Sequence, residues 1–117
     1  MKRVLTGVLG LACAAGITVV AQDAKLVEQG KKLYGTYKCA DCHTIGGKGG
    51  RLTKLHPQDD VGSKLSAADI RKWFTNTAEM EAKVEKPSKL KMTSKKYVFK
   101  DPEIDAMVAY MLSLKKK

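Results

Sequence analysis

The spacing of apolar residues along the chain predicts three helices. The first helix is expected to begin after Asp23, a candidate N-cap, and to continue to about Lys38. Within it, Gly30 lies one turn before Tyr34, so a second helix could approach closely at the glycine while the ring packs beside it. The apolar stripe of this helix consists of Leu26, Val27, Leu33, Tyr34 and Tyr37.

Two further helices are predicted in the second half of the chain. One is expected to begin at Ser66, which forms a capping-box-like pattern with Asp69, and to end near Thr77, although residues 78–84 also have a helical composition. The last is expected to begin with Asp101 as N-cap and Pro102 at the first helical position. Its apolar residues recur at helical spacing and are Ile104, Met107, Val108, Met111 and Leu112.

The segments between these helices have little helical periodicity and contain no convincing pair of strands. Glycines are concentrated in residues 46–50. The stretch 86–100 is basic, and Pro87 marks a break near its start. Both segments are interpreted as loops, so the pattern as a whole predicts a small all-α domain.

The N-terminal residues have the layout of a secretory signal peptide. A short basic start at residues 1–3 is followed by an uncharged stretch over residues 4–20 and by Ala21. We therefore expect a signal peptide over residues 1–21, cleaved after Ala21, and a single domain over residues 22–117. Retention as a membrane anchor is the alternative, because roughly 17 apolar residues lie at the lower edge of what spans a bilayer.

The chain is strongly basic, with 22 Lys and Arg against 12 Asp and Glu and a formal net charge of +10. Lysine carries most of this charge, and its flexible, hydrated ammonium groups suit fast, salt-sensitive docking to an acidic partner. The predicted export and the lack of a recognised binding motif argue against a nucleic-acid role. Cleavage of the signal peptide would remove Cys13 and leave Cys39 and Cys42 as the only cysteines.

These two cysteines belong to the sequence CADCH at residues 39–43, which is the attachment pattern of c-type haem. In this pattern Cys39 and Cys42 bond covalently to the porphyrin edge, and His43 supplies a nitrogen ligand to the iron. A redox disulfide is less favoured, because no alternation of strands and helices is predicted. A structural zinc site needs four ligands, and outside the motif and the methionines only His56 offers a further nitrogen or sulfur donor.

Three stretches of the chain resemble class I, single-haem cytochromes c. QGKKLYGTYKCADCH, residues 29–43, resembles the N-terminal helix and haem motif of that family. VGSKLSAADIRKWF, residues 61–74, is similar to its middle helix, and DPEIDAMVAYMLSLKKK, residues 101–117, to its C-terminal helix. The resemblance implies an all-α, cytochrome c-like fold with three main helices and long loops wrapped around one covalently attached haem c.

The resemblance also implies how the helices meet around the haem. The terminal helices of the family cross and pack tightly. The expected partners of Gly30 and Tyr34 are therefore Met107, Val108 and Tyr110. Trp73 is expected either to cover the haem edge and reach a propionate or to pack as a core ring.

The sixth iron ligand is expected from the loop that precedes the last helix. Met92 lies where the family carries its methionine ligand, and Met80 and then His56 are the fallback candidates. Two other methionines, Met107 and Met111, lie on the apolar stripe of the last helix and are interpreted as core residues.

The family also has a glycine–proline pair after the haem motif, whose backbone carbonyl accepts a hydrogen bond from the proximal histidine. In this chain Gly49 and Gly50 occupy the corresponding region. We therefore expect a carbonyl of this glycine-rich loop to accept the hydrogen bond from His43.

An iron with both axial positions filled implies an electron carrier and not an enzyme. The expected function is periplasmic transfer of single electrons by a monomer that cycles haem iron between Fe(III) and Fe(II) and docks acidic redox proteins near the haem edge. Contact with a membrane is expected only through redox complexes or a retained N-terminal segment. Two alternatives are a five-coordinate haem protein that binds gas or reacts with peroxide, and an electron-entry subunit of a larger oxidoreductase. The lysines near the haem motif or the ligand loop are Lys38, Lys48, Lys89, Lys91, Lys95 and Lys96.

Overall fold

The computed structural model describes residues 14–53, 56–86 and 89–115, with side chains from Ala24 onward. Most of the predicted signal peptide, including Cys13, lies outside the described residues, as does Pro87. The described elements are α1 (Ala14–Thr36), a first 3₁₀-helix (Cys39–Asp41), β1 (Thr44–Ile45), β2 (Lys48–Gly49), α2 (Val61–Lys64), α3 (Ala67–Thr75), α4 (Thr77–Ala82), a second 3₁₀-helix (Met92–Lys95) and α5 (Asp101–Ser113).

The first helix is longer than the sequence predicted. It runs without a break from Ala14 to Thr36, so the prediction that it begins after Asp23 is wrong. The added residues include several alanines, which have the highest helix propensity and favour continuation of the helix. The expected cleavage point after Ala21 therefore lies inside α1. In the described part of the chain, no helix combines the length and the hydropathy needed to cross a membrane.

The expectation of no strand pair is also wrong. Strands β1 and β2 pair in antiparallel fashion, with Thr44 opposite Gly49. They are joined by Gly46 and Gly47, whose φ values of 59° and 75° are the positive values that a tight two-residue hairpin turn requires. Each strand has only two residues, which is too short to produce a recognisable alternation of apolar and polar positions.

The middle helix begins where the sequence predicted and ends early. The Ser66 hydroxyl accepts a hydrogen bond from the backbone N–H of Asp69 at 3.1 Å, which confirms Ser66 as the N-cap. Helix α3 ends at Thr75, and a separate helix, α4, begins at Thr77 after the non-helical residue Asn76.

The last helix begins one residue before the predicted position. Asp101 is its first helical residue and Lys100 is the N-cap, so the prediction of Asp101 as N-cap is wrong by one position. The carboxylate of Glu103 accepts a hydrogen bond from the Lys100 backbone N–H at 3.0 Å. This bond satisfies a donor at the start of the helix.

Helices α1 and α5 cross at Gly30, as the sequence predicted, although the nearest atoms there belong to Ala106, which was not expected, and to Tyr110, which was. A Cβ atom added to Gly30 would lie 2.6 Å from the Cβ of Tyr110 and still closer to the carbonyl oxygen of Ala106. Beside this contact the rings of Tyr34 and Tyr110 meet edge to face, with centroids 5.5 Å apart. The buried core cluster joins α1, α3 and α5 and consists of Tyr34, Ile70, Ile104, Met107, Val108, Tyr110 and Met111. The all-α prediction is confirmed.

Candidate functional site

One cavity brings together most of the residues that the sequence singled out. Its volume is about 250 Å³, close to the lower end of the range for small-molecule sites. The predicted site residues that line it are Cys39, Cys42, His43, His56 and Met92. Much of the remaining wall is apolar and consists of Val61, Leu65, Ile70, Trp73, Phe74 and Met111. Trp73 thus faces the cavity with a partly buried side chain.

The two cysteines are positioned by the turn that ends α1. Lys38 adopts a left-handed conformation, with φ of 55°, and the first 3₁₀-helix follows at once. Residues three apart lie on the same side of a 3₁₀-helix, and the Cys42 N–H donates to the Cys39 carbonyl at 3.2 Å. Cys39 and Cys42 therefore present their sulfur atoms to one cavity. Both are free thiols, and burial raises the pKa of Cys39 to about 12.

His43 is held by a hydrogen bond from its ring to the backbone. Its Nδ1 atom lies 3.0 Å from the carbonyl oxygen of His56. A carbonyl can only accept, so Nδ1 carries the proton and Nε2 of the neutral ring keeps its lone pair for a metal. Burial lowers the pKa of His43 below its usual value of 6.5, which favours that neutral ring. This arrangement fixes both the tautomer and the ring orientation.

The carbonyl that accepts this bond does not belong to the loop that the sequence predicted. The expectation that it would come from Gly49 and Gly50 is wrong. That loop folds back on the cysteine segment instead, and the Gly50 N–H donates to the Ala40 carbonyl at 2.7 Å. The acceptor is the residue before Pro57, thirteen positions after His43. The His56–Pro57 pair was the available signal, because proline holds the preceding residue in an extended conformation.

A second polar contact fixes the segment that contains this acceptor. The hydroxyl of Tyr34 donates to Oε1 of Gln58 at 2.9 Å, and the Gln58 backbone N–H donates to the Thr44 carbonyl at 2.9 Å. Burial raises the pKa of Tyr34, so its hydroxyl stays a donor. Sequence reasoning missed Gln58 because a single glutamine in a loop gives no periodic or motif signal.

The methionines divide into cavity and core residues. Met92 begins the second 3₁₀-helix, is partly buried and lines the cavity. Met111 also lines it but lies in the buried cluster of α5, as does Met107. Met80 is buried in α4, and it is not among the described residues that line the cavity. The assignment of Met92 as an iron ligand stays a prediction.

The loop between Met92 and α5 is attached through aromatic rings. The Tyr97 hydroxyl donates to the Tyr37 carbonyl at 3.0 Å, and burial raises the pKa of Tyr97 to about 12. Phe99 lies between the rings of Tyr37 and Phe74, with centroid separations of 4.8 and 5.2 Å. These contacts connect the loop after Met92 to the residue that follows α1 and to α3.

The mouth of the cavity is basic. Lys38, Lys91 and Lys95 line it and are exposed to solvent. None of the three forms an ion pair within the part of the chain that the structure describes. Because exposed residues form part of its wall, the cavity opens to solvent and one edge of a bound group would face outward.

The donor set fits a covalently attached haem better than a bare metal ion. It consists of two thiols, one neutral imidazole and one thioether, in a largely apolar wall that suits a porphyrin. Among the described residues, no group of three or more His, Cys, Asp or Glu side chains could hold a metal ion. The geometry thus gives no support to a structural zinc site.

Comparison with known proteins agrees with this reading of the cavity. The family model described as Cytochrome c matches residues 27–115. This span contains every residue named above as lining the cavity. No curated protein and no solved structure gave a significant match to the chain.

Proposed function

The chain belongs to the cytochrome c family, and from this premise we propose that it is an exported, monomeric carrier of single electrons. The family relation establishes haem-based electron transfer and an all-α, cytochrome c-like fold. The carrier role, the periplasmic location and the ligand set belong to the proposal. The observation that carries it is that one cavity brings Met92 together with Cys39, Cys42 and His43, which lie about fifty positions earlier in the sequence.

Each of these residues has a separate task. Cys39 and Cys42 would form thioether bonds to one haem c, which then cannot dissociate. His43 would offer Nε2 to the iron, while its Nδ1–H stays bonded to the His56 carbonyl. The bound haem supplies the exchange between Fe(III) and Fe(II). Met92 would offer its sulfur to the iron as a second protein ligand, which would favour the reduced state and leave no open position for a substrate.

Met92 is preferred over both fallback ligands for geometric reasons. The His56 backbone lies against Nδ1 of His43, with ring centroids of the two histidines 6.5 Å apart. This places His56 beside the proximal ligand, which does not suit a distal role. Met80 is buried in α4 and is not among the described residues that line the cavity. Met92 lines the cavity from the start of the second 3₁₀-helix and is not part of the buried core cluster, so its sulfur is available to the iron.

The basic mouth of the cavity supports docking to an acidic redox partner. Lys91 and Lys95 flank Met92 in the sequence and are exposed. Attraction between opposite charges speeds encounter and weakens with salt, as fast and transient redox contacts require.

At low ionic strength, the double charge reversal K91E/K95E should slow reduction by an anionic small-molecule reductant several-fold, as stopped-flow absorbance would show. K25E, at a lysine outside the cavity wall, is the control. Equal rates in all three proteins would contradict this docking surface.

Absorption spectra of the protein matured in an exporting, haem-attaching host test the proposal as a whole. We expect a reversible change between oxidised and reduced spectra, a mass increased by one haem, and no rapid binding of carbon monoxide to the ferrous protein at neutral pH. Rapid carbon monoxide binding would instead indicate a five-coordinate protein that binds gas or peroxide. Recovery only with membranes would favour the subunit of a larger oxidoreductase.

A further inference from the structure

The residue that follows Met92 is held by a carboxylate from another helix. Glu81 lies near the end of α4, is partly buried and lines the cavity. Its Oε1 accepts from the backbone N–H of Thr93 at 2.9 Å, and its Oε2 accepts from the Thr93 hydroxyl at 2.8 Å. Both carboxylate oxygens therefore bind one residue, twelve positions away.

The first of these bonds satisfies a donor that the short helix cannot satisfy itself. Thr93 is the second residue of the 3₁₀-helix that begins at Met92, and the first N–H groups of a helix have no partner within it. Lys91, the residue before this helix, makes no side-chain cap. Glu81 therefore provides from α4 the acceptor that a capping side chain would otherwise provide.

The other hydrogen bonds of this short helix are local. The Ser94 N–H donates to the Lys91 carbonyl at 3.0 Å, and the Lys96 N–H donates to the Thr93 carbonyl at 3.3 Å. Such bonds shape the turn without attaching it to the rest of the protein. Thr93 and Ser94 are exposed, so burial adds little at these positions. The bidentate contact with Glu81 is thus a tie between the Met92 turn and a neighbouring helix.

We propose that Glu81 is a positioning residue that holds Met92 in the cavity through Thr93. This inference rests on the proposed function, because it takes Met92 as the distal ligand. The two hydrogen bonds, called here the Glu81–Thr93 latch, bias the Met92 turn towards the position in which the sulfur reaches the iron. Without the latch, the turn leaves the cavity more often and an external ligand competes more easily.

Imidazole binding to the ferric holoprotein at neutral pH measures how often the sulfur leaves. Loss of a charge-assisted, bidentate contact should raise the open population, and hence the imidazole affinity, roughly tenfold in E81A. T93V keeps the backbone bond and should show a smaller increase, about threefold. E81Q keeps one acceptor oxygen and should lie between E81A and the wild type.

E79A is the matched control for general damage to α4. The Glu79 carboxylate lies on the same helix but contacts Asn76 and Lys83, within its own segment. E79A should bind imidazole as the wild type does. If E79A and E81A raise the affinity equally, the effect comes from α4 as a whole and the latch is overturned. Far-UV circular dichroism confirms that each variant is folded.

Hydrogen exchange at the Thr93 amide separates the latch from the ligand assignment. The exchange rate should rise roughly tenfold in E81A and stay unchanged in E79A. Faster exchange with unchanged imidazole affinity would show that the tie exists but does not position Met92, which overturns the proposal. A wild-type protein without a sulfur-to-iron charge-transfer band would refute the ligand assignment and the latch together. A wild-type protein with that band and an unaffected E81A would refute the latch alone.

Discussion

Two regions of the molecule depend on glycine for reasons that only partly overlap. At the crossing of α1 and α5, called here the helix crossing, Gly30 lets two regular helices touch through Ala106 and Tyr110. In the ligand loops, residues 39–58 and 89–97, Gly49 has a φ of 91° and lies under the carbonyl oxygen of His43. The first glycine removes a side chain from a regular helix, and the second also adopts a conformation that other residues rarely reach.

The difference shows how stability and coordination are divided within the chain. The helix crossing is held by apolar side chains buried between helices that are distant in sequence. The ligand loops are held by hydrogen bonds that involve backbone atoms, such as those to the His56 carbonyl and from the Thr93 N–H, and by the ring contact of Tyr97 with Tyr37. Changes in the crossing should therefore lower the free energy of unfolding, and changes in the loops should alter the iron site.

The largest effect on stability is expected at the helix crossing. Gly30→Ala should lower the free energy of unfolding by about 3 kcal/mol, because the new Cβ meets backbone atoms that cannot move aside. Gly35→Ala is the control, since nothing lies within 4 Å of its added Cβ and alanine favours the helix by up to about 1 kcal/mol. Urea denaturation measures the free energy of unfolding of both variants. Similar stability of the two variants would refute the close contact at Gly30.

A change at Gly49 should act on the iron site more than on the core. In Gly49→Ala the added Cβ would lie 2.5 Å from the His43 carbonyl oxygen, at a cost of about 2 kcal/mol including the strained φ. Because this displaces the backbone of His43, the NMR shift of its Nδ1–H should change. Gly46 also has a positive φ, but nothing lies within 4 Å of an added Cβ. Gly46→Ala should therefore lower the free energy of unfolding by about 1 kcal/mol and leave the NMR shift of the His43 Nδ1–H unchanged. If the NMR shift of the His43 Nδ1–H changes equally in Gly49→Ala and Gly46→Ala, the close contact between Gly49 and His43 is contradicted.

Tyr34 links the two regions and should show a smaller effect. Tyr34→Phe keeps the ring in the crossing but removes the hydrogen bond to Gln58, which should cost about 1 kcal/mol. Hydrogen exchange of the Gln58 backbone N–H, which donates to the Thr44 carbonyl, should also become faster. Tyr110→Phe is the control, because the Tyr110 hydroxyl has no hydrogen-bond partner among the described residues. If Gln58 exchange is unaffected by Tyr34→Phe, the two regions are not coupled at this contact.

The smallest effect should be the pH dependence from Glu103 at the start of α5. Its pKa is lowered by the hydrogen bond from the Lys100 backbone and then by that from Tyr37. A lowered pKa contributes stability above the ordinary value of 4.5, and this contribution is lost as the pH falls through the lowered pKa. Glu103→Gln should therefore be less stable than the wild type at neutral pH, with the difference shrinking below pH 4.5.

Urea midpoints measured from neutral pH to below pH 4.5 test whether the stability difference between Glu103→Gln and the wild type shrinks as the pH falls. Glu85→Gln, at an exposed carboxylate, is the control and should show no comparable change. A stability difference for Glu103→Gln that grows as the pH falls would contradict the assigned hydrogen bonds.

The helix crossing could be predicted from the sequence because its signals are local. The spacing of Gly30 and Tyr34 and the apolar stripe of α5 each follow from helical periodicity. The same spacing places Met107 and Met111 in the core. The start of α1 was misplaced, because Asp23 is compatible with a helix interior as well as with a cap.

The ligand loops were only partly predictable. The sequence placed Cys39, Cys42 and His43 through a fixed motif, and the cavity contains all three. For the His56 carbonyl the only sequence signal was the proline that follows it, and nothing indicated the Glu81 carboxylate. A proline shows an extended residue but not which donor its carbonyl meets, and a single glutamate can contact any donor that the fold brings near. Contacts of this kind depend on the path of the chain, which local patterns do not determine.

The near-infrared spectrum of ferric Met92→Ala tests the central claim most directly. A sulfur ligand to ferric haem gives a weak charge-transfer band in this region, and His56→Ala and Met80→Ala are the matched controls. We predict that the band is present in the wild type and in both controls and is absent from Met92→Ala. Survival of the band in Met92→Ala would contradict the assignment of this methionine to the iron, and its loss in Met80→Ala alone would transfer that role to α4.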